Sequence, residues 1–217
     1  MNPEFWQQRW ADRQIGFHQG TPTPLLLKHW PGLGVPAGAT VFVPLAGKSL
    51  DMAWLAAQGY RVLAVELSQI AVDAFFAEHA LVPEVEETRY GRHHRAGGIE
   101  LIRGDAFGLD DALLAQCAAV FDRAALIALP PDLRRRYAGE LYTRLPAGCR
   151  GLLVTLDYPQ AERDGPPFSV PDEEVRALYG RDWDVERLER RPIPPDHPGY
   201  VGGVSRLDTS VHALRRR

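Results

Sequence analysis

Cysteine, lysine and methionine are scarce in this 217-residue chain. Cys117 and Cys149 are its two cysteines, and neither has metal-ligand spacing, so a zinc module and a disulfide-stapled scaffold are both excluded. Two reduced, buried thiols are expected. The histidines His79, His93, His94 and His212 have no ligand spacing either; no metal site is expected, and they read as surface or loop residues. Lysine is confined to Lys28 and Lys48, and the arginines are scattered apart from Arg134–Arg136 and Arg215–Arg217. With 25 basic against 28 acidic residues and a formal charge of −3, the chain has no basic stripe, so nucleic acid is not an expected partner. No apolar run approaches the roughly 20 residues that cross a bilayer. The first twenty residues carry Glu4, Arg9, Asp12 and Arg13 and no apolar block, which argues against a cleaved secretory signal. A cytoplasmic protein without a membrane span is expected.

Three nucleotide and catalytic signatures are also missing. No G-x-G-x-x-G follows a strand, so a dinucleotide is disfavoured. Gly47-Lys48-Ser49 looks like the end of a phosphate-binding loop, but the glycine required five residues earlier is Phe42. No G-x-S-x-G elbow occurs, and no cysteine or histidine nucleophile arrangement is suggested.

What is present is a regular alternation of elements. The 45% hydrophobic and 24% charged content fits one folded domain. Residues 3–14 predict an amphipathic helix, followed by a Gly/Pro/Thr-rich loop over 16–24. Strands are expected at 40–44, 61–66, 99–103, 119–122 and 151–157, with helices at 49–58, 69–79 and 132–144 between them. Ser68 is placed to cap the second of these helices. Residues 83–98 interrupt the rhythm with polar and glycine content. Ser169 to Asp172 resembles a capping box opening a helix to about Tyr179, and strand-like segments at 183–189 and 203–214 predict a closing antiparallel pair. This order predicts an α/β fold, a doubly wound, mostly parallel sheet with helices on both faces and the ligand beyond the carboxyl ends of the central strands.

Few residues occupy those ends. After the first strand, Leu45 to Gly47 offer a tight turn in which a ligand meets backbone, against the alternative of an ordinary strand-to-helix turn. Glu66 closes the second strand about 20 residues on, where a carboxylate accepts hydrogen bonds from ribose hydroxyls; alone, it reads equally as a solvated strand end. Asp105 and Ala106 follow the third strand, facing a heterocycle edge or simply starting a turn. After the fourth, Asp122 and Arg123 form either a structural salt bridge or, at Arg123, a hold on an anionic group. Trp6, Trp10, Phe17 and Trp30, with His18, make an aromatic group that reads as core packing or as a lid across the ligand edge.

Together, Trp6-Gln-Gln-Arg-Trp10, Ile15-Gly-Phe-His18, Val43-Pro-Leu-Ala-Gly-Lys-Ser-Leu-Asp-Met52, Val65-Glu-Leu-Ser68, Phe121-Asp-Arg-Ala-Ala-Leu126 and Gly165-Pro-Pro-Phe-Ser-Val-Pro171 resemble the bacterial thiopurine S-methyltransferases. The resemblance runs from about residue 3 to the last strand. It implies a Rossmann-like class I methyltransferase with a seven-stranded sheet, in which residues 1–35 form an N-terminal helix and lid segment on a core of residues 36–217. It implies S-adenosylmethionine as cofactor, held by Trp10, Leu45, Glu66 and Arg123 with Asp105 and Ala106 near the adenine, and Phe17 and His18 bordering the methyl acceptor. It further implies a monomer acting on a small-molecule thiol, a thiopurine or another aromatic or heterocyclic thiol, with selenium and tellurium compounds as further acceptors. No residue is named as a catalytic base. The family's usual cysteine in the first turn is Ala46 here, and the segment from Pro192 to Gly203 has no Lys or Arg where relatives often carry basic residues. A nicotinamide-dependent oxidoreductase and a non-catalytic nucleoside-binding protein are the rival expectations.

Overall fold

A computed structural model describes residues 3–196, 200 and 202–217. Helices α1 (Pro3–Ala11) and α2 (Pro24–His29) come first, followed by β1 (Thr40–Val43), α3 (Leu50–Ala57), β2 (Arg61–Glu66) and α4 (Gln69–Glu78). Helix α4 begins as expected, because the Ser68 hydroxyl accepts from the Ala71 N–H. Strands β3 (Glu84–Thr88), β4 (Gly91–Ala96) and β5 (Ile99–Arg103) come next, then α5 (Asp111–Leu114) and β6 (Cys117–Arg123). Helix α6 (Pro131–Arg136) continues through a π-helical turn, Tyr137–Leu141, and a tighter turn, Tyr142–Arg144, before β7 (Arg150–Asp157). The chain closes with α7 (Asp172–Tyr179), β8 (Trp183–Pro192) and β9 (Asp208–Arg216).

The sheet order is β3-β4-β5-β2-β1-β6-β7-β9-β8. Strands β5, β2, β1, β6 and β7 run parallel, and β9 and β8 close antiparallel, as expected. The strand count is corrected from seven to nine among the described residues, because residues 83–98 form an antiparallel hairpin that lengthens the sheet beyond β5. That hairpin escapes the hydrophobic pattern because β3 is an outer strand whose first four residues are exposed.

Side chains alternate between two apolar layers, as the two-residue strand period requires. Val62 and Ala64 of β2 join Met52, Leu55, Val72 and Phe75 under α3 and α4, whereas Leu63 and Val65 face Tyr137, Leu141 and Val175 under α6 and α7. Trp30 lies within the first layer, edge-to-face with Tyr60 and Phe121, so it is core rather than lid. Cys117 and Cys149 are unpaired and buried in the second layer, where desolvation pushes both thiols up to about 12.

Three further expectations change. His93, His94 and His212 are buried rather than superficial: the first two lie in β4, and His212 Nε2 meets Asp172 Oδ1 at 2.9 Å beneath the start of α7. Ser169 does not cap α7; its hydroxyl accepts from the Tyr158 N–H at 3.0 Å, and Asp172 is occupied by Arg176 and His212. The last strand begins at Asp208, not 203. Of the arginine-free segment before it, residues 197–199 and 201 lie outside the described residues, and basic side chains reach its neighbourhood from elsewhere: Arg163 donates to the Gly202 carbonyl.

Candidate functional site

Sheet order reverses at β1, whose neighbours β2 and β6 are reached by connections running in opposite directions, so the carboxyl ends of β1 and β6 flank the crevice where such sheets take ligands. Backbone strain is concentrated there. Leu45, two residues past β1, has φ +48°, and Ala124, directly after β6, has φ +62°. Four described non-glycine residues adopt this left-handed region, and two of them sit at these adjacent ends. Each such residue costs about 1–3 kcal/mol and persists only where its surroundings hold it.

The turn after β1 is built around Glu66. Glu66 is buried, its Oε2 accepts from the Gly47 N–H at 2.8 Å and its Oε1 accepts from the Ser68 N–H at 2.8 Å. Burial pushes this carboxyl above its ordinary range, and the backbone donors oppose that shift. Each oxygen keeps further acceptor capacity, so the group is oriented but not saturated. Gly47 itself has φ +55°, and a Cβ built on it would lie 3.2 Å from Trp10 Cζ2, so the indole rests on the turn's bare backbone. Gly47→Ala is therefore expected to displace the indole and impose about 1–2 kcal/mol of left-handed strain. The expected readout is a melting temperature lowered by roughly 2–4 °C per kcal/mol with altered tryptophan emission; an unchanged emission spectrum would contradict the contact.

Trp10 is buried, and its ring and that of Trp6 meet Phe17 edge-to-face at 5.5 and 5.8 Å. The structure thus brings α1, Phe17 and the Gly47 turn together, and Arg123 completes the wall by donating from Nη2 to the Phe17 carbonyl at 3.2 Å. The half-buried His18 imidazole is lowered below its usual range, first by burial and then by the Lys48 charge, with Arg123 adding to the shift. Lys48 itself reaches Glu78 at the end of α4.

Asp122 and Arg123 do not pair with each other. Asp122 is fully buried and accepts from Tyr137 Oη at 2.7 Å, Tyr142 Oη at 2.8 Å and the Leu126 N–H at 3.1 Å. Desolvation raises its pKa above the ordinary aspartate range, opposed by these hydrogen bonds. The carboxylate thereby fixes the loop after β6 and leaves Arg123 free of it. Arg123, largely desolvated, has its guanidinium lowered by burial, and the nearby Asp51 charge opposes that shift.

The Asp105 side chain accepts from the Phe107 N–H at 3.0 Å and opens the short turn Ala106–Gly108, while Ala106 is buried. Tyr137, Tyr142, Thr23 and Asp51 are the functional candidates that sequence reasoning missed. Only Tyr137 carried a usable signal, its place on the apolar repeat Leu133, Tyr137, Leu141, Leu145. Beside the crevice, past the carboxyl end of β7, lies a cleft of about 550 Å³ bounded by Arg134, Tyr158 and Phe168. Among the described residues no cluster of His, Cys, Asp and Glu is placed to hold a metal.

The whole chain, residues 1–217, matches the model of the thiopurine S-methyltransferase family. A thiopurine S-methyltransferase of Bordetella parapertussis is 57% identical over 217 residues, covering 100% of this chain and 99% of that protein. Among solved structures, a SAM-dependent methyltransferase of Anabaena variabilis superposes with a TM-score of 0.67 at 13% identity, covering 100% of this chain and 96% of that one. The 1,6-didemethyltoxoflavin-N1-methyltransferase of Burkholderia thailandensis, solved with bound 1,6-didemethyltoxoflavin and S-adenosylhomocysteine, gives a TM-score of 0.63 at 18% identity over 99% of this chain and 86% of that one. Sheet order and these likenesses define the fold as that of the class I methyltransferases. Within that class, the identity to the curated relatives is decisive: this chain belongs to the thiopurine S-methyltransferase family.

Proposed function

We propose that the protein transfers the methyl group of S-adenosylmethionine to the sulfur of thiopurines or other aromatic and heterocyclic thiols. The observation that carries this reading is the Glu66 carboxylate, buried at the end of β2 and oriented by the Gly47 and Ser68 N–H groups with acceptor capacity to spare. A ribose diol supplies the two donors such a group lacks, and a carboxylate there disfavours a phosphorylated ribose. The bare backbone of Leu45 to Gly47 and the Trp10 indole fit the rest of an adenosyl sulfonium, with Asp105 and Ala106 beside its adenine and Arg123 at its carboxylate. When bound, S-adenosylmethionine supplies an electrophilic methyl group on a positively charged sulfur.

This chain's own residues align the acceptor and keep water out. Phe17 and His18 border the acceptor, in a lid formed by the N-terminal segment from α1 to the start of α2, whereas Trp30 beyond it packs into the core. The aromatic wall of Trp6, Trp10 and Phe17 excludes solvent from an in-line attack that depends mainly on alignment. An acidic heteroaryl thiol arrives partly ionised, so no strong protein base is required. Selenium and tellurium compounds share the soft nucleophilicity that the site needs. No helix among the described residues is long and apolar enough to cross a membrane, and we place the protein in the cytoplasm as a monomer that binds no nucleic acid.

The expected result is that S-adenosylhomocysteine raises the melting temperature whereas NAD does not, and that purified protein methylates thiopurines or simple aryl thiols when supplied with S-adenosylmethionine. Stabilisation by NAD alone, or no methyl transfer to any thiol or to selenite, would reject the reading.

A further inference from the structure

Asp51 is a carboxylate in the first turn of α3 with only 1% of its surface exposed. Burial of an ionised side chain is unfavourable unless its hydrogen-bonding capacity is filled, and here it is filled from the lid. Oδ1 accepts from the Thr23 N–H at 2.7 Å and Oδ2 accepts from the Thr23 hydroxyl at 2.9 Å, across 28 residues of sequence. Ser49, which caps α3 directly after the Gly47 turn, adds its hydroxyl to Oδ2 at 3.0 Å. Thr23 ends the loop that carries Phe17 and His18 and begins α2. One side chain therefore ties the end of that loop to the turn that meets the cofactor.

The same loop is held at a second point, since Arg123 donates to the Phe17 carbonyl. Among the described residues no carboxylate hydrogen-bonds to Arg123. Asp51 is the negative charge that acts on it, through space. An apolar residue at position 51 would fill the volume beneath Thr23 but would neither fix the direction of the loop nor offset the Arg123 charge.

We propose that Asp51, through Thr23, is a positioning residue that latches the Phe17–His18 loop over the acceptor side of the site and so sets acceptor affinity. The inference rests on the methyl-transfer reading for its kinetic consequence but not for its structural one. Arg13, exposed and two residues past α1, supplies a trypsin site that reports opening of this segment without any activity.

Two variants test the latch. Thr23→Val removes the hydroxyl donor and keeps the backbone N–H, so the fold is expected to survive; Asp51→Asn removes the charge and keeps one acceptor. A hydrogen bond to a charged partner is worth enough to change the open population about tenfold. In both variants, trypsin cleavage after Arg13 is expected to accelerate about tenfold, because cleavage follows the population of the opened state. The KM for a thiol acceptor is expected to rise about tenfold in both, and in Thr23→Val, which keeps the Asp51 charge, kcat and S-adenosylhomocysteine affinity are expected to stay within about twofold of wild type. Wild-type cleavage rates in folded Thr23→Val and Asp51→Asn would overturn the latch, as would a fall in kcat at unchanged KM. If the wild-type protein methylates no thiol, the functional reading fails, and the cleavage rates still decide the latch.

Discussion

Glu66→Gln is expected to weaken S-adenosylhomocysteine binding about 100-fold, as measured by calorimetry on the folded variant. Two hydrogen bonds from ribose hydroxyls to a buried carboxylate are each worth about 1.5–3 kcal/mol, and the amide offers one oxygen in place of two and no charge. Glutamine tests this better than alanine, because Glu66 also holds the Gly47 and Ser68 N–H groups, and truncation would orphan both buried donors at about 1–3 kcal/mol each. The wild-type affinity should also depend on pH. Burial raises the Glu66 pKa above its ordinary value, and cofactor hydroxyls favour the ionised form, so affinity is expected to fall on acidification at a pH where an exposed glutamate is still ionised. The contribution to folding has the opposite sign. A carboxyl with a raised folded pKa binds its proton more tightly in the native state, so the cost of keeping it ionised is fully present above that pKa and disappears as pH falls below the unfolded value. Affinity that stays flat between neutral and acidic pH in the wild type, or that Glu66→Gln leaves intact, would remove the ribose contact.

Asp122→Ala is expected to produce the largest loss of stability in the chain, about 3–5 kcal/mol, read as a shift in the urea midpoint at unchanged slope. It would leave Tyr137 Oη, Tyr142 Oη and the Leu126 N–H without their acceptor in the layer under α6 and α7. Tyr137→Phe and Tyr142→Phe each remove one donor while keeping the ring, and about 1–1.5 kcal/mol is expected for each. Because the two tyrosines share one carboxylate, the double tyrosine variant should depart from additivity, which a double-mutant cycle measures. The functional consequence travels through the loop that begins with Ala124: releasing Leu126 frees Arg123 from its direction toward Phe17, so acceptor KM should rise as well. An Asp122→Ala protein with a wild-type midpoint would show that the cluster is not the anchor of that loop.

Where apolar periodicity is strong, sequence and structure agree closely. Arg61–Glu66 was readable to the residue because four core side chains run together and Ser68 supplies a cap with a local mechanism. The hairpin of β3 and β4 was not, since a strand with little buried face leaves no alternation to detect, and His93 and His94 are buried by neighbours distant in sequence. Ser169 shows the reverse error: a local pattern suggested a cap, but the hydroxyl is claimed by Tyr158, eleven residues upstream. The site divides along the same line. Glu66, Leu45 and Arg123 could be found from their places at strand ends, whereas the links from Asp51 to Thr23 and from Asp122 to the two tyrosines span 28, 15 and 20 residues and have no local signature.

The hairpin beyond β5 also decides how this sheet stops. Its outermost strand bears Glu84, Glu86 and Glu87, and the cations that pair with the last two, Arg95 with Glu86 and Arg92 with Glu87, come from the inner side, on β4. A second molecule trying to continue the ladder there would set carboxylates beside carboxylates, which is unfavourable for directly opposed like charges. The extension that widened the sheet therefore also seals it against growth into a polymer.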